Sequence, residues 1–196
     1  MSTGFSHSWG TEPDERKLAF PCDGLIEHSD AVLYRAVTII APPEVLFRWL
    51  CQLRVAPYSY DWIDNLGRQS PRRLTPGLHE LARGQNVMEI FELVDFTKDE
   101  HLTIRLKPDQ MAVKIFGDIA VSYLIIPKTP VTCRLVVKLV IKYRPTLSGN
   151  LMSVFLPWGD LIMMRRQLLN LKHLAEQTAT SMQKIPAIVG GDPFPK

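Results

Sequence analysis

The order of strand-forming and helix-forming segments constrains this chain more than any motif in it. A β-rich stretch, Val32 to Ile40, runs into Ala41-Pro42-Pro43-Glu44. Val45, Leu46, Trp49, Leu50 and Leu53 then follow at helical spacing. Proline suits a first helical position because its missing N–H has no partner there anyway, and Glu44 complements the helix dipole. Alternating segments fill roughly 80 to 145, and one long helical pattern closes the chain, starting near Asn150 to Pro157 and ending around Thr180. On that helix Leu161, Met164, Leu168, Leu171 and Ala175 share one stripe at about 100° per residue, with Trp158, Ile162 and Leu169 to one side.

The alternation is clearest where Val131, Cys133, Leu135, Val137, Leu139, Ile141 and Tyr143 oppose Arg134, Lys138, Lys142 and Arg144. The basic face reads as the convex, solvated one. Asn86 to Phe96 reads as a strand with Met88, Ile90, Val94 and Phe96 on one face, and Leu102, Ile104 and Leu106 mark a second. Met111 to Ile126 reads as a long strand broken at Gly117-Asp118. Between the early helix and these strands, Asp61 to Leu66 has the makings of one or two helical turns.

A chain of 196 residues is long enough for one domain with a sizeable core. The formal net charge of +3, spread along the chain, does not make a nucleic-acid footprint. Three scattered cysteines, Cys22, Cys51 and Cys133, argue against a disulfide framework and fit a reducing cytosol, so the expected location is cytoplasmic. No stretch has the apolar length of a membrane span. Residues 1–28 read as a flexible N-terminal arm with at most one short ordered piece at LAFPCDGL, residues 29–182 as a single domain and 183–196 as a tail.

With those elements in place, the chain resembles the START-like (SRPBCC) helix-grip superfamily, which includes polyketide cyclases and lipid-transfer domains. APPEVLFRWLCQL resembles the start of its first helix, and APYSYDWIDNLGRQSPRRLTPG looks like a segment of an uncharacterised bacterial branch. The resemblance covers about residues 30 to 180 and implies an α+β fold: a curved antiparallel sheet wrapped around a long C-terminal helix, with two short helices after the first strand. It implies a cavity between sheet and helix, but no catalytic set to map onto this chain.

Each candidate side chain has two readings. Tyr58, Tyr60 and Trp62 either line a pocket mouth or anchor a long loop. Asp61 and Asp64 share a helical face, as acid/base partners or as an N-terminal turn. Arg68, Arg72 and Arg73 hold an anion or form a solvated loop. His79, His101 and His173 lack ligand spacing, and no cofactor or metal is expected. The resulting expectation is binding of a small, largely apolar molecule or lipid, with Tyr58, Tyr60, Trp62, Trp158 and Met164 as ligand-binding residues. A cyclase- or dehydratase-like enzyme in the same cavity and a protein-interaction module on the Trp158–Ile162–Leu169 side stay open as alternatives; catalytic residues and oligomeric state stay unassigned. One test of register follows from the alternation: Val137→Asp should bury an unpaired charge and abolish soluble expression, and wild-type behaviour would place Val137 on the other face.

Overall fold

The computed structural model describes residue 4, residues 6–60 and residues 69–183. In chain order its elements are β1 (Ser8–Trp9), β2 (Ala31–Ile39), α1 (Pro43–Cys51), β3 (Asn86–Val87), β4 (Phe91–Thr97), β5 (His101–Leu106), α2 (Met111–Phe116), β6 (Asp118–Thr129), β7 (Thr132–Lys142) and α3 (Leu147–Gln183). The strands form one seven-stranded sheet in the order β1-β2-β7-β6-β5-β4-β3. Every pairing is antiparallel except the parallel pair β1 and β2. The sheet curves around α3, so the architecture is a helix-grip. The expected second short helix, with Asp61, Trp62, Asp64 and Arg68, and the 184–196 part of the tail lie outside the described residues.

The apolar face of β7 does what its alternation demands. Cys133, Leu135, Val137, Leu139 and Ile141 are buried and belong to the same core as Leu168, Leu171 and Ala175 of α3. α1 seals the end of that core with Val45, Leu46, Trp49 and Leu50, and Trp49 Nε1 donates to Thr178 Oγ1 of α3 at 3.0 Å. Cys51 and Cys133 are small core residues whose thiols burial pushes up to about 12, far from a thiolate nucleophile.

Three local readings change. Asn86 to Phe96 is a β3–β4 hairpin, with Met88 and Glu89 at φ +47° and +62°. Its buried residues are Val87 and Leu93, and a bulge between Leu93 and Asp95 breaks the alternation that favoured Val94 and Phe96. Met111 to Phe116 is a helical turn and a half (α2), not a strand. Gly117 ends it at φ +86°, where a Cβ would lie 2.1 Å from the Lys142 carbonyl oxygen, so only glycine fits. α3 begins at Leu147 and keeps Pro157 inside it.

The convex face is not bare either. Phe20, Cys22 and Ile26 pack on Ala36, Ala120, Val136 and Val140, so the ordered piece expected at LAFPCDGL extends over the sheet. Arg134 and Lys138, expected in water, hold this segment. Arg134 forms a bidentate pair with buried Glu15, at 2.6 and 3.0 Å, and donates to Gly10 O and to Thr38 Oγ1. Burial alone would raise the Glu15 pKa, but its bonds to Arg134 and to the Glu12 N–H outweigh this and hold it below its ordinary value. Lys138 pairs with Asp23 and lies 5.3 Å from the Phe20 ring centre. Lys142 is exposed, as its position in the alternation requires.

With Leu168 fully buried between α3 and the sheet, Leu168→Ala should cost about 2–5 kcal/mol in denaturant unfolding. A loss below roughly 0.5 kcal/mol would mean that the opposite face of α3 meets the sheet.

Candidate functional site

On the concave face of β2 the residues alternate Leu33, Arg35, Val37, Ile39, and all four are buried. A guanidinium in that row has to be answered from the facing element. Arg35 Nη2 donates to Asp160 Oδ2 of α3 at 2.8 Å, to Ser6 O at 2.8 Å and to Pro157 O at 3.3 Å, while Nη1 donates to Tyr34 O at 2.9 Å. The second Asp160 oxygen, Oδ1, has no hydrogen-bond partner among the described residues. Burial pushes the Asp160 carboxyl up to about 6, against the attraction of Arg35, which lowers it.

Asp160 marks the polar end of a cavity of about 170 Å³ between α3 and the concave face. Ile104, Ile119, Val121 and Leu139 form its sheet wall, and Met163 and Met164 its helix wall. Met88, Phe91, Pro57 and Ser59 close the side toward β3 and the loop after α1. The remaining polar groups are tied to each other. The Tyr123 hydroxyl donates to Gln167 Oε1 at 2.9 Å, and Gln167 Nε2 donates to Pro57 O at 2.6 Å. Tyr123 is fully buried, and desolvation holds its hydroxyl well above the usual phenolic range.

Of the residues singled out from sequence, Met164 borders this cavity. Tyr58 and Tyr60 border a neighbouring hollow of about 220 Å³, with Arg72, Arg166, Asn170 and His173. Tyr58 is itself buried, at φ +57°, edge-on to Trp49 with ring centres 6.0 Å apart, and its carbonyl accepts from Asn170 Nδ2 at 2.8 Å. Tyr60 lies under the Arg166 guanidinium, 5.9 Å from the ring centre. Trp158 points away from the cavity and is 54% exposed. Trp62 lies outside the described residues. The loop after α1 therefore does reach the cavity, through Pro57 and Ser59.

Asp160, Tyr123 and Gln167 went unremarked in the sequence, although a signal was there. Asp160 is the sole acidic residue from 147 to 175 and the sole polar side chain from 154 to 164, and Arg35 interrupts an inward-facing row. Two opposite charges, each misplaced in its own element, point to each other.

No family model matches the chain, and no curated protein is significantly similar to it. Among solved structures it is similar to protein MLL2253 from Mesorhizobium loti, at 17% identity and a TM-score of 0.46, over 75% of this chain and 98% of that one. A START superfamily protein from Mycobacterium smegmatis matches at 15% identity and a TM-score of 0.42, over 77% and 98%. The di-domain aromatase/cyclase BexL from the BE-7585A biosynthetic pathway matches at 10% identity and a TM-score of 0.47, over 74% and 46%. At such identity and overlap, nothing about ligand or activity follows from these likenesses.

Removing Asp160 leaves the Arg35 charge buried without its counter-ion. Asp160→Ala should cost about 3–5 kcal/mol in denaturant unfolding. A loss under about 1 kcal/mol would mean that Arg35 finds water or another acceptor in its place.

Proposed function

We propose that this chain binds a small, mostly apolar molecule carrying one hydrogen-bond donor, in the cavity between the sheet and α3. The observation that supports this reading is the chemistry of the lining: walls that are mostly apolar, and at one end a carboxylate oxygen of Asp160 without a hydrogen-bond partner among the described residues. A volume of about 170 Å³ suits a single ring or a short chain, since a cavity of about 150 Å³ in another protein accepts benzene. The fatty acids and fused rings that a larger cavity would take do not fit without rearrangement of the three lining methionines, Met88, Met163 and Met164.

A cyclase- or dehydratase-like reading would use Asp160 as proton carrier. Of the groups that line the cavity with it, the Tyr123 hydroxyl is committed to Gln167, and the Tyr143 hydroxyl, which has no hydrogen-bond partner among the described residues and feels the Asp160 charge, does not line the cavity. Binding is therefore preferred to catalysis.

The test compares phenol with toluene, which are close in size. Both should raise the melting temperature, as ligand linkage requires, and phenol should bind about tenfold more tightly through its bond to an ionised carboxylate. That advantage should shrink as the pH falls through about 6, where Asp160 takes up its proton. Val121→Phe places a ring in the cavity and should abolish both shifts in a folded protein. If neither compound shifts the melting temperature, the cavity is not a binding site. If both bind equally at every pH, Asp160 takes no part in recognition.

A further inference from the structure

The first half of α3 carries large apolar residues on the side turned away from the core. Leu147, Leu151, Val154, Phe155, Trp158 and Ile162 are all exposed, Leu147 by 89%. At about 100° per residue they fall within an arc of about 100°, and at 1.5 Å per residue they span about 22 Å. The opposite side of the same turns carries Met164 into the core and Asp160 onto Arg35, and buried Leu161 borders the stripe. α2, packed against α3, adds exposed Met111 and Ile115. Isolated apolar residues on a surface need no explanation, but a continuous stripe of this length does.

Cations stand at both ends of the stripe. Exposed Arg144 lies three residues before the helix starts. Arg165 falls two turns beyond Trp158, on the same line, and stacks 5.6 Å from the Trp9 ring centre; exposed Arg166 follows it. Exposed Lys114 sits between Met111 and Ile115 on α2. Segments 107–116 and 142–166 together hold Lys107, Lys114, Lys142, Arg144, Arg165 and Arg166 against two carboxylates, Asp109 and Asp160. Asp160 is turned inward onto Arg35, so the outward charge is strongly positive.

We propose that this face docks on an anionic lipid surface. α3 lies along the bilayer with Phe155 and Trp158 among the upper acyl chains, and Arg144, Lys114 and Arg165 meet the phosphates. Charge selects this occupant over a second copy of the chain. A two-fold pairing with antiparallel helices sets Arg144 of one copy against Arg165 of the other, and one with parallel helices sets each arginine against its own equivalent. Both place cations together, whereas anionic headgroups complement every cation on the rim. Among the described residues no helix is long and apolar enough to cross a membrane.

The experiment is flotation of the full chain with vesicles of phosphatidylcholine alone and of phosphatidylcholine mixed with phosphatidylglycerol, alongside sedimentation velocity without lipid. The protein should float with the mixed vesicles, much less with the neutral ones, and less as salt is raised. The double variant Phe155→Ser/Trp158→Ser should lose binding by at least about tenfold, given the apolar area removed from contact, while its melting temperature holds. Arg165→Glu should weaken it selectively on the mixed vesicles. Absence of flotation, or flotation unchanged in the double variant, would overturn the proposal. So would a dimer in lipid-free solution that the double variant dissociates, since the stripe would then be covered by a second copy.

Discussion

A guanidinium with no exposed surface organises this molecule. Arg35 sits on the inner face of β2, in a row of aliphatic residues, and its charge must be met inside the core. It is met by Asp160 and the Pro157 carbonyl of α3, and by the Ser6 carbonyl from the segment that precedes β2. One side chain thereby ties the N-terminal segment, the sheet and the long helix. Its Nε has no partner among the described residues, and the pair sits where desolvation is costly, so the arrangement is weak evidence for stability and better evidence for positioning. The turn that brings Asp160 down to Arg35 is followed by Met163 and Met164, which roof the cavity. The pair that anchors the helix is thus also the polar end of the space beneath it.

The outer face of the sheet shows the same logic with different means. Arg134 and Lys138 sit where a solvated stripe would leave them, yet Glu15 and Asp23 come over to them and bring Phe20, Cys22 and Ile26 across the sheet. Gly10 is needed for that approach: at φ +72°, a Cβ there would lie 2.2 Å from the Ala36 carbonyl oxygen. The sheet is covered on both faces by different means, a helix on the concave side and a segment of successive turns on the convex side.

Elements whose pattern is local and strictly periodic were legible in the sequence. β2, α1, β7 and the buried stripe of α3 each read correctly because side-chain direction repeats every two residues in a strand and every 3.6 in a helix. The hairpin at Met88-Glu89 and the helical turn at Met111 to Phe116 were not legible as such. Left-handed backbone at non-glycine residues leaves no compositional mark, and six residues are too few to separate the two periods. At the candidate site, Met164 followed from helical phase, while the tyrosines of the loop after α1 were chosen for their chemistry, although Pro57 and Ser59 are the ones that reach the cavity.

The sequence by itself determined the order of elements, the inward faces of the long strands and of α3, and hence a sheet closed on a helix. Those choices follow from the hydrophobic effect acting on local periodicity. Tertiary structure alone decided which charges are hidden and which apolar residues are left outside. Arg35 meets Asp160 across 125 residues and Arg134 meets Glu15 across 119, and no window of sequence contains either pair. The exposed stripe from Leu147 to Ile162 is as apolar as the buried one beside it. What separates them is that a curved sheet wraps one side of a helix, and the other side must find its partner elsewhere.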